Sequence, residues 1–351
     1  MDNIIPGLPE DLGLQCLVKV PYKFHNHLRA VCKSWNAVLS SPIFYKERER
    51  HEECEEGIAY LYQGERPTDW EVIIYYPYGK WWEILPRTPE EFKLYWRSNF
   101  VYVRSKHHLV IMGILTCDNR PTVLMFDFIS RTWRRGLDMP FRFWNFACAV
   151  SPSSPQGLIY IATFMCNNNG RIIPNLLQPY VFNVEENKWD FLPPINICRL
   201  DRLCYGEFIE DKFYLVPTHG RRVHIYDPHS RLWKTINTQH NSSVVHGHLV
   251  YAFGKLYWFV REEASVVVTE FDFANNSFVT VGEYPAHIFQ IHCAVLCRDY
   301  IFISAMEAVN CEDVYYRFNP LEREEEKRWT QIEMPAQFSG GVLSFATAVQ
   351  I

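Results

Sequence analysis

Few side chains along this chain could do chemistry, and they are far apart. His107 and His108 are adjacent, and His246 and His248 flank a glycine, spacings at which two imidazoles can reach one metal ion. Neither pair has a third ligand at a recognisable spacing, and residues two apart on a strand share a face without sharing a ligand. Carboxylates gather at 52–56 and 322–326. Such runs read as solvated loops, not as a paired acid and base. The eleven cysteines include no C-x-x-C pair and read as reduced thiols; Cys148 and Cys293 lie in apolar runs as small core residues. Asn241 and Asn275 head glycosylation acceptor patterns that a reduced chain does not use. No metal, cofactor or catalytic set is expected, so the chain reads as a non-enzyme.

Composition narrows the remaining classes. A chain of 351 residues with 48% hydrophobic content can bury a large core, with room for one big domain and a small one. Its aromatic fraction of 16% suits β-rich packing. A formal charge of −5 and a pI near 6.2 give no electrostatic case for nucleic acid. The basic pairs Arg134-Arg135 and Arg221-Arg222 are isolated and read as solvated loop positions. No apolar run approaches the ~20 residues of a membrane-spanning helix. A soluble protein of the cytosol, the nucleus or both is expected.

The stretch 123–140, VLMFDFISRTWRRGLDMP, sets the architecture. Leu124 and Phe126 suit a pleated strand, Asp127 and Ser130 can bond nearby backbone to close a turn, and Trp133 begins the return strand. Pro140 has no N–H to give a ladder and ends the pairing. The same six-residue step recurs from Asn183 to Trp189, Asp227 to Trp233 and Asp272 to Phe278, and from Tyr76 to Trp82 with Tyr in the Asp position. Asn319 to Trp329 fits if four residues of the acidic run are inserted in the turn. The six anchors lie 44 to 56 residues apart, the range of four-stranded propeller blades. Two strand-like runs, 58–62 and 72–76, precede Trp82, while 342–349 follows the last anchor without a hairpin of its own. The last strand should therefore complete the first blade and close a six-bladed ring over 51–351.

Residues 1–50 differ in kind. Pro9 followed by Glu10 and Asp11 is a helix start. Leu8, Leu12, Cys16 and Val20 form one stripe, and Leu14, Leu17 and Val18 another roughly opposite, so this helix needs neighbours on both flanks. Val20-Pro21 breaks it. Leu28, Val31, Cys32, Trp35, Val38 and Leu39 mark a second helical face, bent near Lys33, which Ser40-Ser41-Pro42 stops. Some forty helical residues bury too little to fold alone, so they pack on the β domain or present their surface to another protein.

The order of residues in this segment resembles an F-box: Leu-Pro opening the first helix, a Leu-rich stretch, the Val-Pro break, then Val-Cys-Lys-x-Trp and Ser-Pro-x-Phe. With the blades behind it, the chain resembles the plant F-box/kelch-repeat family, a small all-α F-box followed by an all-β six-bladed kelch-type propeller. The ending Phe338-Ser339-Gly340-Gly341 before a terminal strand also resembles that family. The resemblance implies a substrate receptor of an SCF-type (Skp–cullin–F-box) ubiquitin ligase. The F-box would bind a Skp-type adaptor, and through it a cullin–RING ligase, while the propeller holds a target protein for ubiquitination and degradation. Carried over by position, Leu8, Pro9, Leu12, Leu17, Val20, Pro21, Leu28, Val31, Cys32, Trp35 and Leu39 would meet the adaptor. The family includes members that direct degradation of phenylpropanoid enzymes such as phenylalanine ammonia-lyase, and others linked to hormone-response regulators. The alternative is a kelch scaffold outside any ligase, its helices capping the ring.

The chain departs from the kelch pattern where second strands usually end in Gly-Gly. It has Met112-Gly113, Ala162-Thr163, Val216-Pro217, Val260-Arg261 and Ser304-Ala305 there, so those bends must be built differently. The Arg cluster and repeated boxes of sialidase-like propellers are absent from the sequence, and no Tyr/His ligand set of a copper oxidase stands out. Loops after each anchor and between second and third strands are the candidate target-binding sites. Arg142 and Trp144, then Arg199 and Arg202, carry groups typical of interface anchors, with Arg221 and the tip 167–171 as donor-rich additions.

Overall fold

The outer hairpins close as their sequences dictate. Asp127 Oδ1 accepts from the backbone N–H of Ile129 at 2.8 Å, and its other oxygen accepts from Ser130 at 2.8 Å. Asn183, Asp227, Asp272 and Asn319 likewise accept from the backbone N–H two residues on. Four positions after Tyr76, Asp127, Asn183, Asp227 and Asp272, the residues Lys80, Arg131, Asn187, Arg231 and Asn276 are left-handed, with φ between 50° and 57°. That residue turns the chain into the outer strand. In the sixth hairpin the four extra residues form a helical turn, Glu325–Arg328.

The computed structural model describes residues 4–64, 70–94, 99–116, 120–140, 146–166, 172–196, 204–217, 221–238, 247–261, 266–284, 288–307, 313–335, 338 and 342–351. The strands form six antiparallel sheets. Blade 1 orders Val342–Gln350, Glu56–Gln63, Trp70–Tyr76 and Trp81–Ile84 from the inside outwards. Blade 2 orders Asn99–Val103, His108–Thr116, Pro121–Asp127 and Thr132–Arg135, with Phe92–Lys93 also paired to its second strand. Blades 3 to 6 repeat the plan, with inner strands Phe146–Val150, Cys204–Ile209, Gly247–Ala252 and Ile288–Cys297. The ring closes through the C-terminal strand, where Ile58 pairs with Ala348 and Tyr60 with Ala346. Beyond the sheet, Glu55 and Ile351 exchange backbone hydrogen bonds of 2.9 and 3.0 Å.

The core lies between blades. Val101, Met125, Ile159 and Phe182 fill the gap between blades 2 and 3, and the other gaps are filled by similar apolar and aromatic sets. The anchors span these gaps. Trp133, Trp189 and Trp233 each donate Nε1–H to a carbonyl just past the preceding blade's outer strand: Pro86 at 2.6 Å, Leu137 at 3.3 Å and Pro193 at 2.9 Å. Trp82 and Trp329 reach back by ring contact, to Phe338 at 5.2 Å and Tyr284 at 4.4 Å. Phe278 has no side-chain N–H and packs on Trp258 and Phe271. Where Gly-Gly would stand, Ala162-Thr163, Val260-Arg261 and Ser304-Ala305 are strand residues, with the register shifting just beyond the first, between Phe164 and Cys166, and in the strand facing the last, between Ile291 and Cys293. Blade 2 instead bulges at Gly113, whose φ is 92°.

Candidate adaptor-binding and target-binding surfaces

Four helices precede the ring: α1 (Glu10–Val18), α2 (His25–Arg29), α3 (Lys33–Leu39) and α4 (Pro42–Arg50). The single bent helix expected over 28–39 is broken, because Cys32 is an extended N-cap whose Sγ accepts from Trp35 N–H. The stop expected at Ser40-Ser41-Pro42 is also the start of α4. Ser41 caps it by accepting from Ile43 N–H, with Pro42 at the first position. That Ser-Pro pair was the sequence signal for α4.

The two stripes of α1 face different ways. Leu17 and Val18 are each 2% exposed and Leu14 is half-buried, whereas Leu12 is 44% exposed and Cys16 is exposed. Among the expected adaptor residues, Pro9, Leu12, Pro21, Val31 and Cys32 are exposed, and Leu8, Val20, Leu28 and Trp35 half-buried. Leu17 and Leu39 are corrected to core positions, at 2% and 0% exposure, sealed by helices and propeller together. Trp35 is engaged internally: its Nε1 donates to Ile4 O at 2.6 Å while its half-buried ring packs on the core edge. Sequence reasoning missed Ile43 and Phe24, 68% and 45% exposed. Ile43 follows the Ser-Pro signal, and its exposure comes from α4 turning Phe44 and Tyr45 inwards.

The inner side of the helices is committed. Leu17, Val18, Tyr22, Leu39, Phe44 and Tyr45 share one apolar cluster with Phe126 and Phe128 of blade 2 and Val349 and Ile351 of the closing strand. Arg48, 1% exposed, donates to Val18 O and Val20 O, both at 2.7 Å, and to Glu53 O at 2.6 Å. It thereby ties the C-terminal end of α1 to the linker. Beside it His25 is held neutral, its pKa lowered to about 3 by burial and then by the guanidinium charge.

Across the junction, Arg29 donates to Leu39 O at 2.7 Å and to Ile129 O of blade 2. Arg131 reaches back to Tyr22 Oη at 2.9 Å and to Glu83 at 2.7 Å. Tyr22 donates its hydroxyl to Phe128 O at 3.2 Å. Arg104 pairs with Glu49 at 3.1 Å.

These contacts use the turns that join inner to second and third to outer strands, so the helices sit on that end of the ring. Antiparallel order sends the other two kinds of connection to the opposite face. Arg221 is described there, exposed, its carbonyl accepting from Thr238 N–H at 2.9 Å. Arg142, Trp144, Arg199, Arg202 and the tip 167–171 lie outside the described residues. Among the described residues no three His, Cys, Asp or Glu side chains gather as a metal site; His107 and His108 are drawn below their usual pKa chiefly by burial, and His246 lies outside. No described helix is long and apolar enough to cross a membrane.

This arrangement defines an F-box protein with a β-propeller behind the helices. Residues 5–47 match the F-box domain, and residues 207–299 match the F-box associated beta propeller domain. The chain is 25% identical over 276 residues to the F-box/kelch-repeat protein At2g44130 of Arabidopsis thaliana, covering 67% of this chain and 65% of the relative. It is 26% identical over 287 residues to the F-box/kelch-repeat protein SKIP20 of the same plant, covering 67% and 66%. The matches thus span just under two thirds of each relative's length. Among solved structures, TolB from Acinetobacter baumannii shares the fold at a TM-score of 0.56 and 11% identity, covering 84% of this chain and 66% of that one. A chain of the nidogen/laminin complex shares it at 0.54 and 7%, covering 84% and 98%. Over these spans the chain is similar to plant F-box/kelch-repeat proteins, with an F-box region at residues 5–47.

Proposed function

We propose that this chain is the substrate-recognition subunit of an SCF-type ubiquitin ligase, with residues 1–50 as the adaptor-binding unit and 51–351 as the target-binding one. The observation that carries this reading is the division of the helices. Their inner side is used up on the propeller, while Leu12, Val31 and Ile43 remain 44%, 61% and 68% exposed on a unit too small to leave apolar surface idle. Such side chains match the apolar helix-docking surface of a Skp-type adaptor, which would link the chain to a cullin–RING ligase.

The target would be a protein bound on the face away from the helices, where Arg221 is exposed. A phenylpropanoid enzyme such as phenylalanine ammonia-lyase is a first target to test, on the family resemblance. The chain serves as a non-catalytic receptor in this reading. Six free cysteines among the described residues suit the cytosol or nucleus.

Co-purification of the full chain with a recombinant plant Skp-type adaptor tests the proposal. A stoichiometric complex is expected, lost in Leu12→Asp/Val31→Asp while the propeller's melting transition stays in place. No complex with the wild-type chain would favour the scaffold reading.

A further inference from the structure

The junction between helices and ring has the construction of a fixed joint. Residues 51–55 join α4 to the first strand, and they are held at both ends: Arg48 takes Glu53 O, the Glu55 carboxylate accepts from Tyr22 N–H, and the Glu55 backbone pairs with Ile351. Nothing in this connection resembles a flexible tether.

The outer hairpin of blade 2 supplies the rest. Phe128, fully buried, projects from the turn into the helices, edge to face with Tyr22 at 6.4 Å. One residue on, Ile129 O accepts from Arg29 of α2; three residues on, Arg131 donates to Tyr22 in the stretch before α2. The two arginines thus cross the junction in opposite directions. A single contact would leave a pivot, but two reciprocal contacts around an inserted ring remove rotation as well as separation. Arg29 and the Tyr22 hydroxyl both donate to backbone carbonyls of the hairpin, Ile129 O and Phe128 O, which cannot swing away as side chains do. The outer hairpins of blades 3 to 5 close with the same side-chain-to-backbone bonds, so the turn's own geometry needs neither Phe128 nor Arg131.

We infer that Phe128 and Arg131 are positioning residues that lock the adaptor-binding helices at one orientation on the propeller. The role attached to that orientation rests on the ligase reading: a target on the opposite face would be presented to the ligase at a fixed distance and angle. The joint itself does not depend on that reading.

Single-molecule energy transfer between non-cysteine labels at Asn36 on α3 and Leu232 on the outer strand of blade 4 tests the inference in the full chain, both sites being exposed. The wild-type chain should give one narrow distance population. Phe128→Ala/Arg131→Met should lose it to a broad one while the propeller's melting transition remains. Phe128→Leu, which keeps apolar volume, should restore most of the narrow population. A broad wild-type population, or a double variant as narrow as wild type, would overturn the joint. If the double variant loses the propeller transition too, Arg131→Met alone is read in the same way, and a population unchanged from wild type sinks the role of Arg131. Adaptor binding is measured in parallel: its absence in the wild-type chain counts against the ligase reading and leaves the distance result standing.

Discussion

Arg131 and Tyr22 stand 109 positions apart in the chain, and the guanidinium of one meets the hydroxyl of the other at 2.9 Å. The same guanidinium holds Glu83 at 2.7 Å, so an arginine from a short polar turn links helices, blade 1 and blade 2. It is largely covered there, its side chain 18% exposed and that of Glu83 11%. A covered pair of this kind is coupled more strongly than a solvated one. A double-mutant cycle of Arg131→Met and Tyr22→Phe should return a coupling of about 0.5–3 kcal/mol in urea unfolding. Additive single effects would show that the two side chains act independently.

Arg48 should matter more. Its removal in Arg48→Met leaves the carbonyls of Val18, Val20 and Glu53 without their buried donor and strips Glu55 of a cation at 3.7 Å. The expected cost is on the order of 3–5 kcal/mol, since several buried acceptors are orphaned together. Helical signal should be lost at lower urea than the tryptophan signal of the blades. Coincident transitions at the wild-type midpoint would contradict this account.

The anchors should rank by burial and by what they hold. Trp189, 9% exposed, spans the gap between blades 2 and 3, so Trp189→Ala should cost about 3–5 kcal/mol. Trp133 is only half-buried, and Trp133→Phe, which keeps the ring on Phe126 and removes the donor to Pro86 O, should cost about 1 kcal/mol. Thermal and urea unfolding of the two variants give the ranking directly, and the reverse order would mean that the bond to Pro86 outweighs burial.

The hairpins were legible because their signals are local. An Asp or Asn bonding its own backbone, a fixed step to an aromatic and an alternating strand need no knowledge of the rest of the chain, and even the absent hairpin after Trp329 told how the ring closes. The helices were legible as elements but not as surfaces. Leu12 and Leu17 are both leucines on α1, and only the position of the propeller decides that one is exposed and the other sealed. Phe128 gives no such local signal, because its partners, Tyr22 and Tyr102, come from distant segments.

The closing strand should be indispensable to the ring. Val342–Gln350 supplies the inner strand of blade 1, and Leu343 and Val349 are each 1% exposed in two different interblade clusters. Removing residues 342–351 exposes the edge of Glu56–Gln63 and opens both clusters beside blade 1. The melting temperature should fall by well over about 10 °C, with aggregation on heating, as several kcal/mol of buried apolar contact are lost. An unchanged melting curve would show that the ring holds without its clasp.

Stability should respond to pH through two buried histidines and one half-buried carboxyl, which pull in opposite directions. His25 and His224 have pKa values lowered to about 3 and about 4, in each case first by burial, so the unfolded chain takes up their protons before the native one does. Their effect is a loss of stability as pH falls below about 6.5, the ordinary imidazole value. Glu207, on the inner strand of blade 4, has its pKa raised by burial to about 7. Its carboxyl stays protonated in the native state where the unfolded chain has released the proton, so this group costs stability as pH rises from about 4.5 towards 7. Glu207→Gln keeps an oxygen to accept from Phe208 N–H and removes the charge. It should leave stability nearly unchanged at pH 4.5 and raise it at pH 8 by on the order of 1–3 kcal/mol. Urea unfolding at the two pH values separates the groups: a Glu207→Gln gain equal at both would assign the effect to packing, whereas a gain confined to pH 8 identifies a carboxyl that the ring holds protonated.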